Sequence, residues 1–312
     1  MLCLSEDQVQ KLLPMKECVE VMRQTFTALS EGRAQTQPRR RLRLPSGAML
    51  HQMAGAYGNY FGTKVYSAHA KYGAYFTFLL YDAATAEPLA QFEANALGQI
   101  RTGAASGLAT DLMASKGAHR MGLIGSGFQA WTQLEAMLAV RPIDTVRVYS
   151  RNAQRRVAFA LRASETFAVD VRSVDSAEAA CEEAEILVTS TYAKDPVIQS
   201  AWVLPGTHIN AMGSNHAERR ELPTELIGRA RRIGIDSLEQ SKLEAGDLLL
   251  AVPVERWNEL PLVELAAWFS NQPLAERAGG DVTIFNSLGL GVEDVAAAAY
   301  VFERWVKEKG RP

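Results

Sequence analysis

The sequence has few cysteines and no long apolar run. Its three cysteines, among 312 residues, are widely spaced, which argues against a secreted disulfide framework and against a zinc site. No stretch of about 18 uncharged apolar residues occurs, so a membrane-spanning helix is not expected. The first residues show no basic segment followed by an apolar one, and a signal peptide is not expected either. Together these absences predict a cytoplasmic protein.

A charge excess of either sign is also absent. Lys and Arg number 33 and Asp and Glu 35, which gives a formal net charge of −2. A nucleic-acid-binding protein normally shows a basic excess, so this class is disfavoured. The histidines have no metal-ligand spacing, and no metal is expected. What remains is an ordinary globular composition, 47% hydrophobic and 22% charged, in a chain long enough for about two domains.

Residues 1–115 have the pattern of an α+β domain. Ser5–Gln8 fits a capping box, and apolar residues at helical spacing predict a second helix from Met15 to Glu31. Short alternating runs between residues 41 and 81 predict neighbouring strands of a mainly antiparallel sheet. A helix rich in Ala, Gly and Ser is predicted from Leu97 to Ser115. We expect this domain to form the dimer contact, because the open edges of its sheet need pairing or cover.

Residues 116–290 alternate apolar strands with helices, which is typical of a doubly wound parallel sheet. Between a predicted strand and a predicted helix lies Gly125-x-Gly127-x-x-Ala130. The first glycine permits a tight turn, the second lets the backbone approach a pyrophosphate, and the small third residue allows the helix to pack on the strand. The segment therefore predicts a Rossmann-type dinucleotide-binding domain. A final helix, about 291–312, is expected to pack back on the first domain.

The end of the following strand indicates which dinucleotide binds. An NAD site usually places Asp or Glu there to bond the ribose 2′-hydroxyl. Here the chain reads Ser150-Arg151-Asn152, with Arg155 after it, and a guanidinium can pair with a 2′-phosphate through two hydrogen bonds. NADP(H) is therefore favoured. In the alternative, the arginines are only a solvated helix start and the cofactor is NAD.

An ordered set of motifs resembles the ornithine cyclodeaminase and mu-crystallin family across nearly the whole chain. Besides the glycine motif, the set comprises Gln37–Arg40, Gly62–Val65, Arg101–Ser106, Arg219–Leu222, Gly246–Leu248 and Phe285–Asp294. The resemblance implies an enzyme that acts on small amino acids or cyclic imines through a nicotinamide cofactor. It also implies a homodimer joined through the N-terminal domains.

The resemblance implies that residues 1–115 bind the substrate, and it assigns substrate roles to individual residues among them. The family's carboxylate-binding arginine falls on Arg40, with the adjacent Arg39 and Arg41 as alternatives, and a planar guanidinium suits a carboxylate because it donates two parallel bonds. Because neighbours on a strand face opposite ways, Arg40 is expected to point away from both. The active-site lysine falls on Lys64, which exchanges a proton with the substrate nitrogen. A second carboxylate contact falls on Arg101.

Further assignments concern the pocket and the cofactor. Ser287 is expected near the substrate. The residues that the motif and the resemblance imply for cofactor binding are Thr102, Gly125, Gly127, Phe128, Gln129, Ala130, Ser150, Arg151, Asn152 and Thr191.

One position departs from the ornithine cyclodeaminase pattern. The aspartate that works on the substrate's amines in those enzymes falls on Asn215, and an amide cannot accept or hold a proton as a carboxylate can. His216 is a candidate acid in its place. In the alternative, His216 is simply an exposed or hydrogen-bonded loop residue.

These residues favour an NADPH-dependent reductase of small ketimine carboxylates, or an amino-acid dehydrogenase if the reaction runs in reverse. The nearest alternative is an ornithine cyclodeaminase, which converts ornithine to proline and ammonia with NAD. From a different class comes a non-catalytic protein that binds a small ligand together with NADPH.

Overall fold

The computed structural model describes residues 1–271, 274 and 278–310. Its strands are β1 Leu2–Leu4, β2 Ala34–Thr36, β3 Arg40–Arg43, β4 Met49–Tyr57, β5 Tyr60–His69, β6 Gly73–Asp82, β7 Pro88–Glu93, β8 Arg120–Ile124, β9 Thr145–Tyr149, β10 Asp170–Ser173, β11 Ile186–Thr189, β12 His208–Ala211, β13 Arg232–Ile235, β14 Leu262–Glu264 and β15 Thr283–Asn286. Its α-helices are α1 Glu6–Leu12, α2 Met15–Ser30, α3 Asn95–Met113, α4 Phe128–Val140, α5 Ala153–Phe167, α6 Ala177–Cys181, α7 Thr224–Arg229, α8 Leu238–Glu244, α9 Gly246–Leu249 and α10 Gly291–Lys309.

The described residues form two compact units. Unit 1 contains Met1–Ala104, Phe269–Asn271 and the chain from Gly289 onward, and unit 2 contains the described residues between these segments. The division between Ala104 and Ala105 falls inside α3, whereas the boundary predicted from the sequence lies between residues 115 and 116. Unit 1 is therefore assembled from both ends of the chain.

The sheet of unit 1 has the strand order β1-β7-β6-β5-β4-β2, with β3 also paired to β4. Its pairs are antiparallel except for β1 beside β7, which is parallel. Tyr57 and Tyr60 face each other across the β4–β5 turn, where Gly58 has a φ of +56°. A tight hairpin turn needs such a left-handed residue, so glycine fits there. The predicted antiparallel-rich N-terminal sheet is confirmed.

Helix α10 packs on this sheet at very close range. A Cβ added to Gly55 on β4 would lie 2.6 Å from the Val292 backbone nitrogen, and one added to Gly291 would lie 2.5 Å from the Ala54 carbonyl oxygen. The missing side chains let the first turn of α10 rest directly on β4. The acidic residues of that turn are thereby carried into the interior of unit 1.

The sheet of unit 2 has the strand order β10-β9-β8-β11-β12-β15-β13-β14, and all of its pairs are parallel. The central strands β11, β12 and β15 are buried at every position. Continuous burial is expected for parallel strands covered by helices on both faces. The predicted doubly wound, Rossmann-type arrangement is confirmed. Within the described ranges, no helix is both long enough and apolar enough to cross a membrane.

Candidate active site

A group of buried charged side chains lies in unit 1, where the first turn of α10 meets β5 and α3. Lys64 on β5 places Nζ 2.8 Å from Oδ1 of Asp294 and 2.7 Å from its Oδ2. Arg101 on α3 donates through Nε to Oδ1 of Asp294 at 3.1 Å. Through Nη1 it donates to Oε2 of Glu293 at 2.9 Å. The Asp294 carboxylate therefore bridges a lysine and an arginine.

Burial sets the electrostatics of these groups. The side chain of Lys64 is 3% exposed, that of Arg101 6%, and those of Glu293 and Asp294 0%. Burial, followed by the charge of Arg101, lowers the pKa of Lys64 to about 8, and Asp294 opposes this shift. Burial alone would raise the pKa of Asp294, but the charges of Arg101 and Lys64 hold it below its ordinary value. The aspartate thus stays ionised, while the lysine titrates near physiological pH.

Gly289 allows Arg101 to reach its partners. Its φ is +76°, and a Cβ there would lie only 2.3 Å from Nη1 of Arg101. The left-handed conformation disfavours other residues, and any side chain would push the guanidinium away. Glycine at this position is therefore part of the site.

The arginine nearest this group is Arg39 rather than Arg40. Arg39 is 7% exposed and donates from Nε to Sδ of Met53 at 3.3 Å, and Met53 lies opposite Lys64 in the β4–β5 register. The Arg39 charge also contributes to the lowered pKa of Lys64. Arg40 is exposed and pairs with Gln52. Of the alternatives that the sequence leaves open, Arg39 is therefore the arginine that faces inward, which alternation along a strand could not decide. The charged cluster, as named below, comprises Arg39, Lys64, Arg101, Glu293 and Asp294.

Thr102 and Ser287, two further predicted site residues, have local hydrogen bonds. Thr102 donates from Oγ1 to the carbonyl oxygen of Gly98 one helical turn earlier, at 2.7 Å. Ser287, 4% exposed, donates its backbone N–H to the carbonyl oxygen of Ala211 at 2.9 Å. Thr102 thus lies within α3 and Ser287 directly after β15, and neither bond involves the charged cluster.

Unit 2 contains a cleft of about 980 Å³ at the carboxyl ends of β8, β9 and β11. Gly125 has a φ of +115°, and a Cβ there would lie 2.3 Å from the Ser190 carbonyl oxygen, so glycine is required. Gly127 is the N-cap of α4 and has no side chain to cap the helix, and a Cβ there would meet nothing within 4 Å. The first N–H groups of α4 can therefore donate hydrogen bonds to an anion in the cleft. This backbone cradle fits the pyrophosphate of a dinucleotide.

The first turn of α4 carries the remaining residues of the glycine motif. Phe128 is 53% exposed, Gln129 is half-buried and Ala130 is fully buried. The small side chain of Ala130 lets α4 approach the sheet, as the motif predicts.

A second part of the cleft follows the end of β9, where Ser150, Arg151 and Arg155 line it. The hydroxyl oxygens of Ser150 and Ser126 are 2.8 Å apart, which links this strand end to the glycine turn. Asn152 is the N-cap of α5 and accepts the backbone N–H of Arg155 at 2.9 Å. Two arginine residues therefore line this edge of the cleft.

The lining of the cleft also includes Thr191, Tyr192 and Arg219. The guanidinium carbon of Arg219 lies 4.0 Å from the centre of the Tyr192 ring, and Nη1 donates to the Tyr192 carbonyl oxygen at 3.0 Å. The His216 ring meets the same tyrosine edge to face, with ring centres 6.5 Å apart. Asn215 is half-buried beside it. Asn215 and the candidate acid His216 thus both belong to unit 2, next to residues of the cleft.

A buried carboxylate that the sequence did not single out holds this part of the cleft together. Oε1 of Glu221 accepts the backbone N–H of Thr191 at 2.6 Å and its hydroxyl at 2.7 Å. Oε2 accepts the hydroxyl of Thr189 and the backbone N–H of Gly213, both at 2.8 Å. A Cβ on Gly213 would lie 2.5 Å from the carboxylate. Glu221 therefore ties the end of β11 to the end of β12.

Asp247 in turn supports Glu221. Its Oδ1 accepts the backbone N–H groups of Glu221 and Leu222 at 2.7 and 2.8 Å, and its Oδ2 accepts Nδ2 of Asn286 at 3.1 Å. Burial raises the pKa of Asp247 to about 6 and that of Glu221 to about 7, because the hydrogen-bond donors offset burial only in part. Both carboxyl groups therefore titrate unusually close to neutrality.

Four buried carboxylates lie within motifs that carry the family resemblance, although the sequence predicted no role for them: Glu221, Asp247, Glu293 and Asp294. Glu293 and Asp294 occupy the first turn of a helix, where acidic residues are expected simply from the helix dipole. Glu221 and Asp247 lie on or beside short loops. Their assignment needs the fold, because their partners are distant in sequence. No group of His, Cys, Asp or Glu within the described ranges is arranged to hold a metal ion.

The model of the ornithine cyclodeaminase/mu-crystallin family matches residues 1–309. This chain belongs to that family. The resemblance read from the motifs is thereby confirmed.

Curated members of the family include close relatives of this chain. A Delta(1)-pyrroline-2-carboxylate reductase of Bacillus cereus is 36% identical over 230 residues, which are 73% of this chain and 70% of the relative. The ketimine reductase mu-crystallin of Mus musculus is 32% identical over 231 residues, 74% of this chain and 70% of the relative.

A solved member of the family has the same fold. The structure of Thermococcus litoralis Delta(1)-pyrroline-2-carboxylate reductase in complex with NADH and L-proline has a TM-score of 0.93 at 30% identity. The match covers 99% of this chain and 98% of that one. The architecture of both units is therefore that of a family reductase.

Proposed function

We propose that this protein is an NAD(P)H-dependent reductase of small ketimine carboxylates, which oxidises the corresponding amino acid when the reaction runs in reverse. The charged cluster carries the proposal, because it combines a titratable lysine with two arginines in a buried site. The relatives from Bacillus cereus and Thermococcus litoralis support it, since they are named for Delta(1)-pyrroline-2-carboxylate, a cyclic ketimine with a carboxylate. The mouse relative is named a ketimine reductase.

The formal charges of the cluster suit an anionic substrate. Its five side chains comprise three cations and two anions, so a bound carboxylate balances the group. Arg39 and Arg101 are the proposed carboxylate contacts, because guanidinium groups donate paired hydrogen bonds to a carboxylate. The role predicted for Arg40 thus passes to Arg39, whose side chain is inward.

Lys64 is the proposed acid for the substrate nitrogen. With a pKa of about 8, its Nζ is largely protonated at neutral pH yet gives up a proton readily. Protonating an imine nitrogen makes the adjacent carbon more electrophilic. The reductive direction should therefore be favoured below pH 8 and the oxidative direction, which needs neutral Lys64, above it.

The cleft of unit 2 is the proposed cofactor site. Its glycine turn and the N-terminus of α4 fit a pyrophosphate, and when bound the nicotinamide supplies the hydride. Arg151 and Arg155 favour NADP(H), because their guanidinium groups line the part of the cleft that follows β9, where a ribose 2′-phosphate is expected. Thr102, Phe128, Gln129, Asn152 and Thr191 remain predicted cofactor residues.

Asn215 disfavours cyclodeaminase activity. Cyclising ornithine requires the substrate's second amine to be neutral when it attacks, and asparagine has no titrating proton with which to help. Reduction of a preformed ketimine needs no such group. His216 and Ser287 remain predicted substrate-side residues.

The test is a screen of NADPH and NADH oxidation with cyclic ketimine carboxylates, and with α-keto acids plus ammonia or methylamine. Ornithine with NAD⁺ is assayed beside it for proline and ammonia. We expect ketimine reduction and negligible ornithine turnover. Robust ornithine turnover without ketimine reduction would contradict the proposal.

A cytoplasmic homodimer joined through unit 1 is part of the proposal. Unit 1 exposes large apolar side chains near β3 and the β5–β6 hairpin: Leu42 (59%), Leu44 (51%), Tyr72 (64%) and Tyr75 (72%). Burying such a group of side chains against a second copy is favourable. None of the three cysteines, all of which lie in the described ranges, forms a disulfide, in keeping with a reducing compartment. Sedimentation at micromolar concentration should give a dimer, and a stable monomer would contradict this assembly.

A further inference from the structure

Two adjacent carboxylates on the first turn of α10 make different contacts, although both are completely buried. Asp294 contacts Nζ of Lys64 with both oxygens and Nε of Arg101 with one. Glu293 accepts Nη1 of Arg101 with Oε2 and the backbone N–H of Leu290 with Oε1. Asp294 is thus the carboxylate that contacts Lys64. Glu293, beside it, contacts Arg101 and the backbone at the start of α10.

We infer that Asp294 is a positioning residue that orients Nζ of Lys64 and keeps its proton in place for transfer to the substrate nitrogen, whereas Glu293 serves Arg101 and the N-terminus of α10. This inference rests on the proposed function, since it assigns Lys64 the proton that the reductase delivers. In that step the Nζ–H bond breaks and a new N–H bond forms on the substrate nitrogen. Neutral Lys64 then regains its proton from solvent.

The position of Asp294 suits this role. Nζ donates a hydrogen bond to Oδ1 at 2.8 Å and lies 2.7 Å from Oδ2, so the carboxylate fixes the direction of one ammonium hydrogen and thereby restricts the directions of the other two. Asp294 also lies at the positive end of the α10 dipole and beside Arg101. Both influences favour its ionised form, so Asp294 orients the lysine without taking its proton.

The other groups that face Lys64 work against its charge. Arg101 on α3 and Arg39 before β3 both lower the pKa of Lys64, as does burial, and Asp294 on α10 raises it. The neighbouring Glu293 engages Arg101. Without the Asp294 charge, the lysine faces two arginines and loses its proton at a lower pH.

The test compares Asp294→Asn with Glu293→Gln, two nearly isosteric changes of adjacent buried carboxylates. The readout is the titration of Lys64 followed by NMR of ¹³Cε-labelled lysine in the full chain, with the Lys64 signal assigned by its loss in Lys64→Met. Asp294→Asn should lower the titration midpoint of Lys64 by about one unit or more, and Glu293→Gln by less than about half a unit. Equal shifts in the two variants, or none in Asp294→Asn, would overturn the inference.

The pH profile of ketimine reduction gives the matching kinetic readout. In Asp294→Asn the fall of kcat with rising pH should begin about one unit lower than in the unmutated protein. In Glu293→Gln the effect should fall on KM, because Arg101 holds the substrate carboxylate. A lowered kcat with an unchanged pH profile in Asp294→Asn would mean that the aspartate is merely structural.

Asp294→Glu separates the effect of the carboxylate charge from the effect of its position. It also serves as the test variant if Asp294→Asn does not fold. It keeps the negative charge, so the Lys64 titration should stay near its original midpoint, while the longer side chain displaces Nζ and lowers kcat. A titration shift as large as in Asp294→Asn would contradict the assigned role. NMR needs no turnover, so if the protein proved inactive on every ketimine the proposed function would fail while the titration still decided the role of Asp294.

Discussion

Asp294 in unit 1 and Asp247 in unit 2 are both almost fully buried and both lie in the first turn of a helix, yet their pKa values move in opposite directions. Asp294 meets Lys64 and Arg101, and its pKa is lowered. Asp247 meets two backbone N–H groups and the amide of Asn286, and its pKa is raised to about 6. Burial and helix position are nearly the same, so the charge of the partners decides the outcome. Cations keep a buried carboxylate ionised, and neutral donors do so only in part.

The two candidate sites also differ in the kind of group that they contain. The site in unit 1 consists of buried charged side chains, whereas the cleft of unit 2 has mainly backbone N–H groups at a glycine turn. The buried carboxylates of unit 2 hold strand ends together. Substitutions should therefore affect chemistry in unit 1 and architecture in unit 2. The predictions below test this division, starting with the largest expected effect.

Lys64→Met removes the titratable group of unit 1. Ketimine reduction should fall by about a hundred- to ten-thousandfold, because a positioned proton donor contributes on that order. Cofactor binding, followed by fluorescence of NADPH, should be nearly unchanged. A comparable loss of cofactor binding would mean that the division between the two units is wrong.

Arg39→Ala and Arg40→Ala form a matched pair, one inward and one outward. A charge-assisted hydrogen bond contributes about 1.5–3 kcal/mol, so Arg39→Ala should raise KM for a ketimine carboxylate by about ten- to a hundredfold. Arg40→Ala should change it less than about twofold, because the side chain is exposed. Steady-state kinetics of the two variants decides, and the reverse ranking would restore the assignment predicted from the sequence.

Arg151→Ala tests a side-chain charge that unit 2 brings to its cleft. Losing a guanidinium contact to a phosphate should weaken NADPH binding about ten- to a hundredfold. NADH binding should hardly change, since it lacks that phosphate. Titration calorimetry with both cofactors is the measurement, and equal losses would show that Arg151 does not distinguish them.

Asp247→Asn should act on stability, with a sign set by its raised pKa. The favourable contribution of the protonated carboxyl is complete below its ordinary pKa of 3.8 and is lost as pH rises through about 6. Asparagine cannot ionise, and its amide oxygen can still accept the two backbone N–H groups. As the pH rises from 5 to 8, the free energy of unfolding of the variant should therefore increase by about 1–3 kcal/mol relative to that of the unmutated protein. Urea denaturation at the two pH values measures this, and a gain that is the same at both would refute the explanation.

Much of the fold could be predicted because local pattern encodes it. The predicted capping box at Ser5–Gln8 begins α1, and the predicted helix from Met15 to Glu31 differs from α2 by one residue at its end. The glycine turn was equally readable, since Gly125 and Gly127 are needed for backbone reasons that lie within a few residues. Such features depend on neighbours in the sequence.

The contacts of the charged cluster join residues that are distant in the sequence, and the sequence alone could not predict them. Lys64 and Asp294 are 230 residues apart, and no periodicity connects them. Whether Arg39 or Arg40 faces inward depends on packing against β4, where Arg39 contacts Met53. The resemblance to the family located Lys64 and Arg101 but gave their carboxylate partners no role.

The division of unit 1 between the two ends of the chain has a consequence for biosynthesis. A ribosome completes the N-terminal sheet and then all of unit 2 before it adds the helix that begins at Gly291. Until then Lys64 and Arg101 have been made without the carboxylates that neutralise them. The nascent chain must therefore keep two cationic side chains hydrated until α10 has been made. The charged cluster therefore cannot close before α10 has been made, and a chain that stops before residue 291 cannot form it.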